Sequence, residues 1–410
     1  MRTRRTLYVT KYCLTPYEHI ENGAILVEND KILAVGGESA FVREDDLKVV
    51  DLTNTYALPG FIDTHIHGAG NVDVSSLNDD CSNFKHMSMT LASHGVTSFL
   101  PTLVTNPKDK MIKTIECLTK VCNTEYHGAQ PIGIHVEGPF LNVAKRGSQS
   151  QFDILHSIDF GFVKEFIQAG KNFIKIVTFA PELPGSIKFI EMLKENNIEP
   201  SMGHSNADEK TVLRAVDAGA RRCTHLYNGM PSLYKRKSTL TTIALTDDRI
   251  AVELILDGYH LHHSMVDIAC RTKPKEQLIG VSDSVQGTGL NSGSFYISGE
   301  EVFMDHGVLK TNDGVIAGST LTLEKGWNYL TEHTKMKQTD VSACFSTNPA
   351  KNIGLTDRGE IRPSKKADIT FFDIESNRVI LTLINGKVVF KNKSKTMIID
   401  RDSIDLSALK

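Results

Sequence analysis

Ile198-Glu-Pro-Ser-Met-Gly-His204, Asp208-Glu-Lys-Thr-Val-Leu-Arg-Ala-Val-Asp-Ala-Gly219 and Arg222-Cys-Thr-His-Leu226 follow one another in close succession. The outer two are short apolar runs with a histidine at or near the end. The middle one is an amphipathic helix, with Val212, Leu213, Val216 and Ala220 on one face and Gly219 closing it. Strand, helix, strand is the unit of a parallel sheet. Working outward, apolar runs of this kind recur at 60–67, 96–100, 133–137, 174–179, 252–257 and 278–283, which makes eight. Eight βα units predict an α/β fold, a TIM-like (β/α)8 barrel, whose chemistry sits at the C-terminal ends of the strands.

The pattern changes at both ends. Residues 6–10, 24–28 and 31–35 read as short strands, as do 368–372 and 379–384, and Asn385-Gly386 is a strong hairpin signal leading into 387–390. These predict a small β-sandwich domain built from both chain ends, residues 1–57 and 355–410, beside a catalytic barrel of residues 58–354. Arg2, Arg4 and Arg5 open the chain, but Tyr8, Thr10, Lys11 and Tyr12 interrupt the apolar core that a signal peptide needs. The segment reads as a first strand.

No stretch approaches the ~18 uninterrupted apolar residues of a membrane span. With 40% hydrophobic and 23% charged residues, the composition is that of a soluble globular enzyme, and the expectation is a cytoplasmic protein with no membrane partner. A formal net charge of -3 argues against nucleic acid held by bulk electrostatics. Seven cysteines, at 13, 81, 117, 122, 223, 270 and 344, form no CxxC pair, which predicts reduced thiols.

The polar residues that end the apolar runs carry the chemistry. His65 and His67 stand two apart, so a strand presents both on one side. Alone this pair is a weak signal, since a chain with 15 His in 410 residues produces one by chance about every other time. Glu137, His204, His225 and Asp283 strengthen it, because each stands where a barrel strand delivers its last side chain to the active-site face. For any single histidine a structural role is the plainer reading, and for Asp283 a turn-capping aspartate is the lesser alternative; convergence at one rim favours a site. Imidazoles with a carboxylate suit Zn²⁺ or Fe²⁺ and leave positions open for water.

Leu58-Pro-Gly-Phe-Ile-Asp-Thr-His-Ile-His-Gly68, His135-Val-Glu-Gly-Pro-Phe-Leu141, Gly203-His-Ser-Asn-Ala207, Thr224-His-Leu-Tyr-Asn-Gly-Met230, Asp257-Gly-Tyr-His260 and Ala317-Gly-Ser319 resemble, in order and spacing, the N-acetylglucosamine-6-phosphate deacetylase family of the amidohydrolase superfamily. The resemblance implies that Glu137, His204 and His225 hold the principal metal, that His65 and His67 make a second ion possible, and that Asp283 acts as general base and then acid. It further implies an amino-sugar phosphate substrate and a homodimer in which Arg236, eleven residues beyond His225, reaches the phosphate across the interface. His260 is similar to a phosphate or sugar ligand. Asn228 and Gly229 match residues whose amides approach the phosphate, and the backbone at Ile316, Ala317 and Gly318 matches the lining of the acetyl-sugar pocket.

Ser148-Gln149 departs from the family pattern, where a small residue is followed by histidine; a glutamine still hydrogen-bonds a sugar hydroxyl but carries no charge. Three other readings stay open. One is a deacetylase for N-acetylgalactosamine 6-phosphate. Another is a cyclic-amide amidohydrolase, in which Lys175 would be the carboxylated lysine of the fourth strand. The third is a non-catalytic sugar-phosphate-binding protein.

Overall fold

A computed structural model of the chain describes residues 5–42, 47–77, 81–290, 293–297, 300–305, 308–311 and 316–392. The chain opens with β1 (Arg5–Leu14), β2 (His19–Glu28), β3 (Lys31–Gly37) and β4 (Lys48–Pro59). One residue, Gly60, separates β4 from the first barrel strand. The barrel is built from β5 (Phe61–Ile66), β6 (Val96–Leu103), β7 (Ile134–Glu137), β8 (Ile174–Phe179), β9 (Glu199–Met202), β10 (Arg222–Cys223), β11 (Ala251–Ile255) and β12 (Leu278–Val281). Each pairs in parallel with the next. Closure comes just beyond β12, where Ile66 and Ser284 form a parallel bridge and Asp283 N donates to His65 O at 2.9 Å.

Helices pack outside this ring. In α1 (Glu209–Ala218), Asp208 caps the start by accepting from Thr211 N, and Gly219 ends it at φ +121°. Val212, Val216 and Ala220 are buried as the periodicity predicts, whereas Leu213 is only half-buried and Ala215 is fully buried. Burying each valine contributes roughly 1.5–3 kcal/mol, and the cap about 1 kcal/mol, so the amphipathic face holds this helix on the barrel.

After β12 the chain makes a four-stranded antiparallel sheet, β13 (Ser294–Ile297), β14 (Glu300–Asp305), β15 (Val308–Thr311) and β16 (Ile316–Ser319), over a small core of Val285, Phe295, Val302 and Leu309. Sequence reading allowed for insertions in the barrel but did not locate this one. The chain then returns through α2 (Leu323–His333) to β17 (Ile369–Asp373), β18 (Arg378–Ile384) and β19 (Lys387–Lys391).

Strands from the two ends form one continuous sheet of order β19-β18-β17-β4-β1-β2-β3. Its seam is the antiparallel β4/β17 pair, with Ile369 opposite Pro59 and Asp373 opposite Thr55. The sheet folds onto itself as the predicted sandwich: Ile32 N donates to Lys365 O and Ala367 N to Asp30 O. Tyr8, Ile25, Ile32 and Val50 share one core with Ile369, Phe371 and Leu381. Phe372 anchors it to the barrel, with ring centroids 5.6 Å from Phe61 and 5.3 Å from Trp327.

The expectation of seven reduced thiols is corrected at one pair. Cys81 and Cys117, 36 residues apart, are joined as a disulfide with Cα atoms 6.5 Å apart. Fold proximity brings them together, and no spacing rule signals it.

The hairpin at Asn385-Gly386 gives a first prediction. Both residues have positive φ, 50° and 70°, as a primed turn demands, and a Cβ on Gly386 would stand 1.9 Å from Asn29 O. Gly386→Ala is expected to lower stability by about 1–3 kcal/mol in denaturant melts. Gly354→Ala, at φ +75° with nothing within 4 Å of its Cβ, is the control. Equal losses would show that no steric clash is involved.

Candidate active site at the barrel mouth

Glu137 is the last residue of β7, while His204 and His225 each lie two residues past β9 and β10. Glu137 Oε1 is 3.1 Å from His204 Nε2 and 3.1 Å from His225 Nε2, and the two nitrogens are themselves 3.1 Å apart. His204 Nδ1 faces Lys145 O at 2.8 Å, so Nδ1 carries a proton and, in the neutral ring, the lone pair is on Nε2.

A second group adjoins the first. His65 Nε2 and His67 Nε2 are 3.2 Å apart, and Asp283 Oδ1 lies 3.4 Å from the former and 3.0 Å from the latter. Glu137 stands between the groups, its Oε1 3.5 Å from His65 and its Oε2 3.6 Å from His67. Strand alternation therefore puts both histidines of the β5 end into the mouth. Within each trio the ligand atoms lie within 4.8 Å of one another.

Asp63, Glu137, Glu253 and Asp283 place four carboxyl groups around these rings, with Arg222 as the guanidinium among them. Burial works against charge throughout. It pushes the Asp63 carboxyl up to about 6 and the His135 ring down to about 3. Burial also pulls on His65, yet the carboxylates of Asp283, Glu253 and Glu137 lift that ring to about 9. Asp283 is held down at about 2, against burial, by His65 and His67, and Glu137 is held well below the ordinary carboxylate range by His204 and His65. A carboxylate-rich pocket of converging imidazole nitrogens needs positive charge, and histidine with carboxylate is a donor set for a divalent transition metal. The residues present fit such an ion.

The backbone is bent to make this geometry. His204, His225 and Asp283 have φ of 45°, 29° and 47°. Left-handed backbone at a non-glycine residue costs on the order of 1–3 kcal/mol and persists where the surroundings enforce it, commonly at functional sites.

Other residues singled out in the sequence are spread around this centre. Gln149 is buried; its Nε2 donates to Glu137 Oε2 at 2.8 Å and its Oε1 accepts from Thr105 N at 3.0 Å, so both ends of the amide meet protein. Ser148 beside it is exposed. Asn228 N donates to His225 O at 2.9 Å. Gly229, at φ +58°, lies against the back of His204, where a Cβ would come within 2.9 Å of Nδ1. His260 Nδ1 is 2.6 Å from Asp257 Oδ2. Arg236 is exposed in the turn between the bridged residues Tyr234 and Lys237. Ile316 and Ala317 belong to β16, and their side chains lie outside the described residues. Gly318, at φ +141°, packs over Val285, two residues past Asp283.

Lys175 is the second residue of β8, at the end opposite to the mouth, where Thr178 is buried and bonded to His135 Nε2 at 2.8 Å. The cyclic-amide reading loses its bridging lysine. Sequence reasoning gave no role to Glu253, Arg222, His135 or Asp257. Glu253 and Arg222 left a trace as charged residues in apolar runs, and His135 and Asp257 stood in quoted motifs without being singled out.

Residues 56–389 match the sequence profile of the Amidohydrolase family. An N-acetylglucosamine-6-phosphate deacetylase from Bacillus subtilis (strain 168) is 33% identical over 390 residues, covering 94% of this chain and 97% of that protein. An N-acetylgalactosamine-6-phosphate deacetylase from Escherichia coli O157:H7 is 30% identical over 348 residues, covering 85% and 91%. Among solved structures, a mutant N-acetyl-D-glucosamine-6-phosphate deacetylase from Mycobacterium smegmatis, in complex with N-acetyl-D-glucosamine-6-phosphate, superposes with a TM-score of 0.87 at 25% identity, covering 95% and 100%. An eight-stranded barrel with a carboxylate and histidines converging at its mouth, matched along nearly its whole length by such relatives, is a metal-dependent hydrolase, and the chain belongs to the N-acetylglucosamine-6-phosphate deacetylase family of the amidohydrolases.

Proposed function

We propose that the protein hydrolyses the acetamide of N-acetylglucosamine 6-phosphate to glucosamine 6-phosphate and acetate. The observation that carries this is the meeting of Glu137, His204 and His225 with Asp283 at one rim of the barrel. Glu137, His204 and His225 would hold the principal divalent ion, zinc or iron, and His65 and His67 with Asp283 a second. When bound, such an ion acidifies water and polarises the amide carbonyl.

The remaining chemistry belongs to the chain. Asp283, charged and partly open to the mouth, takes the proton of the attacking water and returns it to the amine nitrogen, without which the amine leaves poorly. His260 and Arg236 supply positive charge for the phosphate. Arg236 does so from the partner subunit of a homodimer, which suits a side chain left exposed on its own subunit. Asn228 and Gly229 contribute amides, Ile316, Ala317 and Gly318 line the acetyl-sugar pocket, and Ser148 and Gln149 border it.

No described helix is long and apolar enough to cross a membrane. A cytoplasmic enzyme with an amino-sugar phosphate as its partner, and neither nucleic acid nor membrane, fits the composition. The division into a sandwich of residues 1–57 and 355–410 and a barrel of residues 58–354 is retained as part of this reading.

Acetate release from N-acetylglucosamine 6-phosphate, its galacto epimer and unphosphorylated N-acetylglucosamine tests the assignment. The gluco phosphate is expected to have the highest kcat/KM. Preference for the galacto epimer, named among the relatives, would reassign the substrate, and no release from any of the three would leave a binding protein.

A pH prediction follows from the Asp257–His260 pair. Burial lowers the His260 ring, but its hydrogen bond to Asp257 and that carboxylate's charge raise it above the ordinary histidine value. A raised histidine keeps its proton at low pH and loses it only as pH climbs through the raised value, so attraction for phosphate outlasts the ordinary ~6.5 and fades above it. Asp257→Asn is expected to move the upturn in KM to lower pH while kcat at low pH stays put. An unmoved KM profile would separate His260 from the phosphate.

A further inference from the structure

Glu253 occupies the middle of β11, whose five residues are all buried. A carboxylate persists in a barrel interior only where its oxygens are matched. Here they are: Oε1 accepts from Arg222 Nε at 2.7 Å, while Oε2 lies 2.9 Å from His65 Nδ1 and accepts from His225 N at 3.0 Å. Arg222, equally buried, also donates to Thr64 Oγ1 and Asn352 Oδ1. One carboxylate oxygen thus touches the ring of His65 and the backbone of His225, which belong to the two different trios.

His65, His135 and Glu253 also lie close enough to be taken for a third ion site. The surroundings speak against that. His135 has both nitrogens engaged, Nδ1 with Thr64 O at 3.1 Å and Nε2 with Thr178 Oγ1 at 2.8 Å, and the Arg222 guanidinium already supplies the positive charge beside Glu253.

We propose that Glu253 is a positioning residue that fixes His65 with its proton on Nδ1, so that Nε2 presents a lone pair to the centre shared with His67 and Asp283, and that Arg222 holds the carboxylate in register. This rests on the reading of His65 as a metal ligand given above. A carboxylate only accepts, so the nitrogen facing it must be the donor, and in the neutral ring that an ion requires the opposite nitrogen is the bare one. In a glutamine at 253 whose carbonyl stays on Arg222 Nε, the amide NH₂ turns towards Nδ1. His65 then relaxes to the other tautomer, and a proton caps the nitrogen that faces the centre.

The test measures zinc directly. Stoichiometry by elemental analysis and affinity by competition with a chromophoric chelator are compared for the wild type, His65→Gln and Glu253→Gln. Because Glu253→Gln leaves the Arg222 guanidinium without its carboxylate, Arg222→Met/Glu253→Met, which offers the His65 Nδ1 proton no acceptor, is carried beside it. The wild type is expected to take two ions and His65→Gln one. Both Glu253 variants are expected to weaken the second ion about 10- to 100-fold and to leave the first unchanged. Wild-type affinity for both ions in a Glu253 variant, with the second lost in His65→Gln, overturns the proposal alone. If His65→Gln takes up as much zinc as the wild type, the ligand reading itself fails and the proposal with it. An independent readout needs no variant at 253: in the long-range ¹H–¹⁵N spectrum of the zinc-loaded wild type, the His65 ring, assigned by its loss in His65→Gln, is expected to be protonated at Nδ1. Protonation at Nε2 overturns the proposal.

Discussion

Asp283→Asn is expected to lower kcat about 10²–10⁴-fold, with fold and principal metal retained. Asp283 is the carboxylate of the cluster that opens to the mouth, its side chain 18% exposed against 4% for Glu137 and 0% for Glu253. Both oxygens of Glu137 and of Glu253 are occupied by protein groups. Held at about 2 by His65 and His67, Asp283 is charged at any working pH, so its carboxylate carries no proton of its own. Asparagine keeps its shape and its contact with His67 but has no basic oxygen. Steady-state kinetics with elemental analysis of the same sample decide the matter: turnover within tenfold of the parent at full metal content would remove Asp283 from the proton transfer.

Glu137→Gln is the second large effect. Its Oε1 faces both His204 and His225, and an amide is a far weaker ligand than a carboxylate. Because Glu137 also stands between the two trios, 3.5 Å from His65 and 3.6 Å from His67, both ions lose a ligand: bound metal is expected to fall below about a tenth of the parent's and turnover to fall with it, since the ion supplies the acidified water. Stability offers a separate readout. A ligand at a hundred times its Kd stabilises the folded state by about 2.7 kcal/mol, so a chelator should lower the parent's Tm and leave that of Glu137→Gln unmoved. A variant that responds to chelator as the parent does would place the principal ion elsewhere.

The barrel was legible because each strand is a short apolar run ending in a polar residue, and the register of a parallel barrel puts all those ends at one rim. His204 and Asp283 stood out for that reason. The bend that aims them was not legible: positive φ at His204, His225 and Asp283 is set by packing around the turn, and histidine and aspartate carry no glycine-like mark of it. Glu253 and Arg222 were hidden differently, since an inward-facing charge matched by another charge leaves only a flaw in an apolar pattern. Gln149 illustrates a third limit. Its neighbours in sequence suggested a sugar contact, but what its amide meets, Glu137 and Thr105, depends on chain segments that only the fold brings near. The sandwich was legible as strands at both ends, whereas its seam between β4 and β17 was not, because pairing across so long a separation leaves no local trace.

That seam has a consequence during synthesis. Some 310 residues lie between Pro59 and Ile369, and at about 5–20 residues per second the ribosome needs roughly 15–60 s to make them. Throughout that interval β4 lacks the neighbour that will cover one of its edges, and a bare edge invites pairing with another nascent copy. Chains halted before residue 369 should therefore be recovered with chaperones or as aggregates, and release of the last strands should be what frees them.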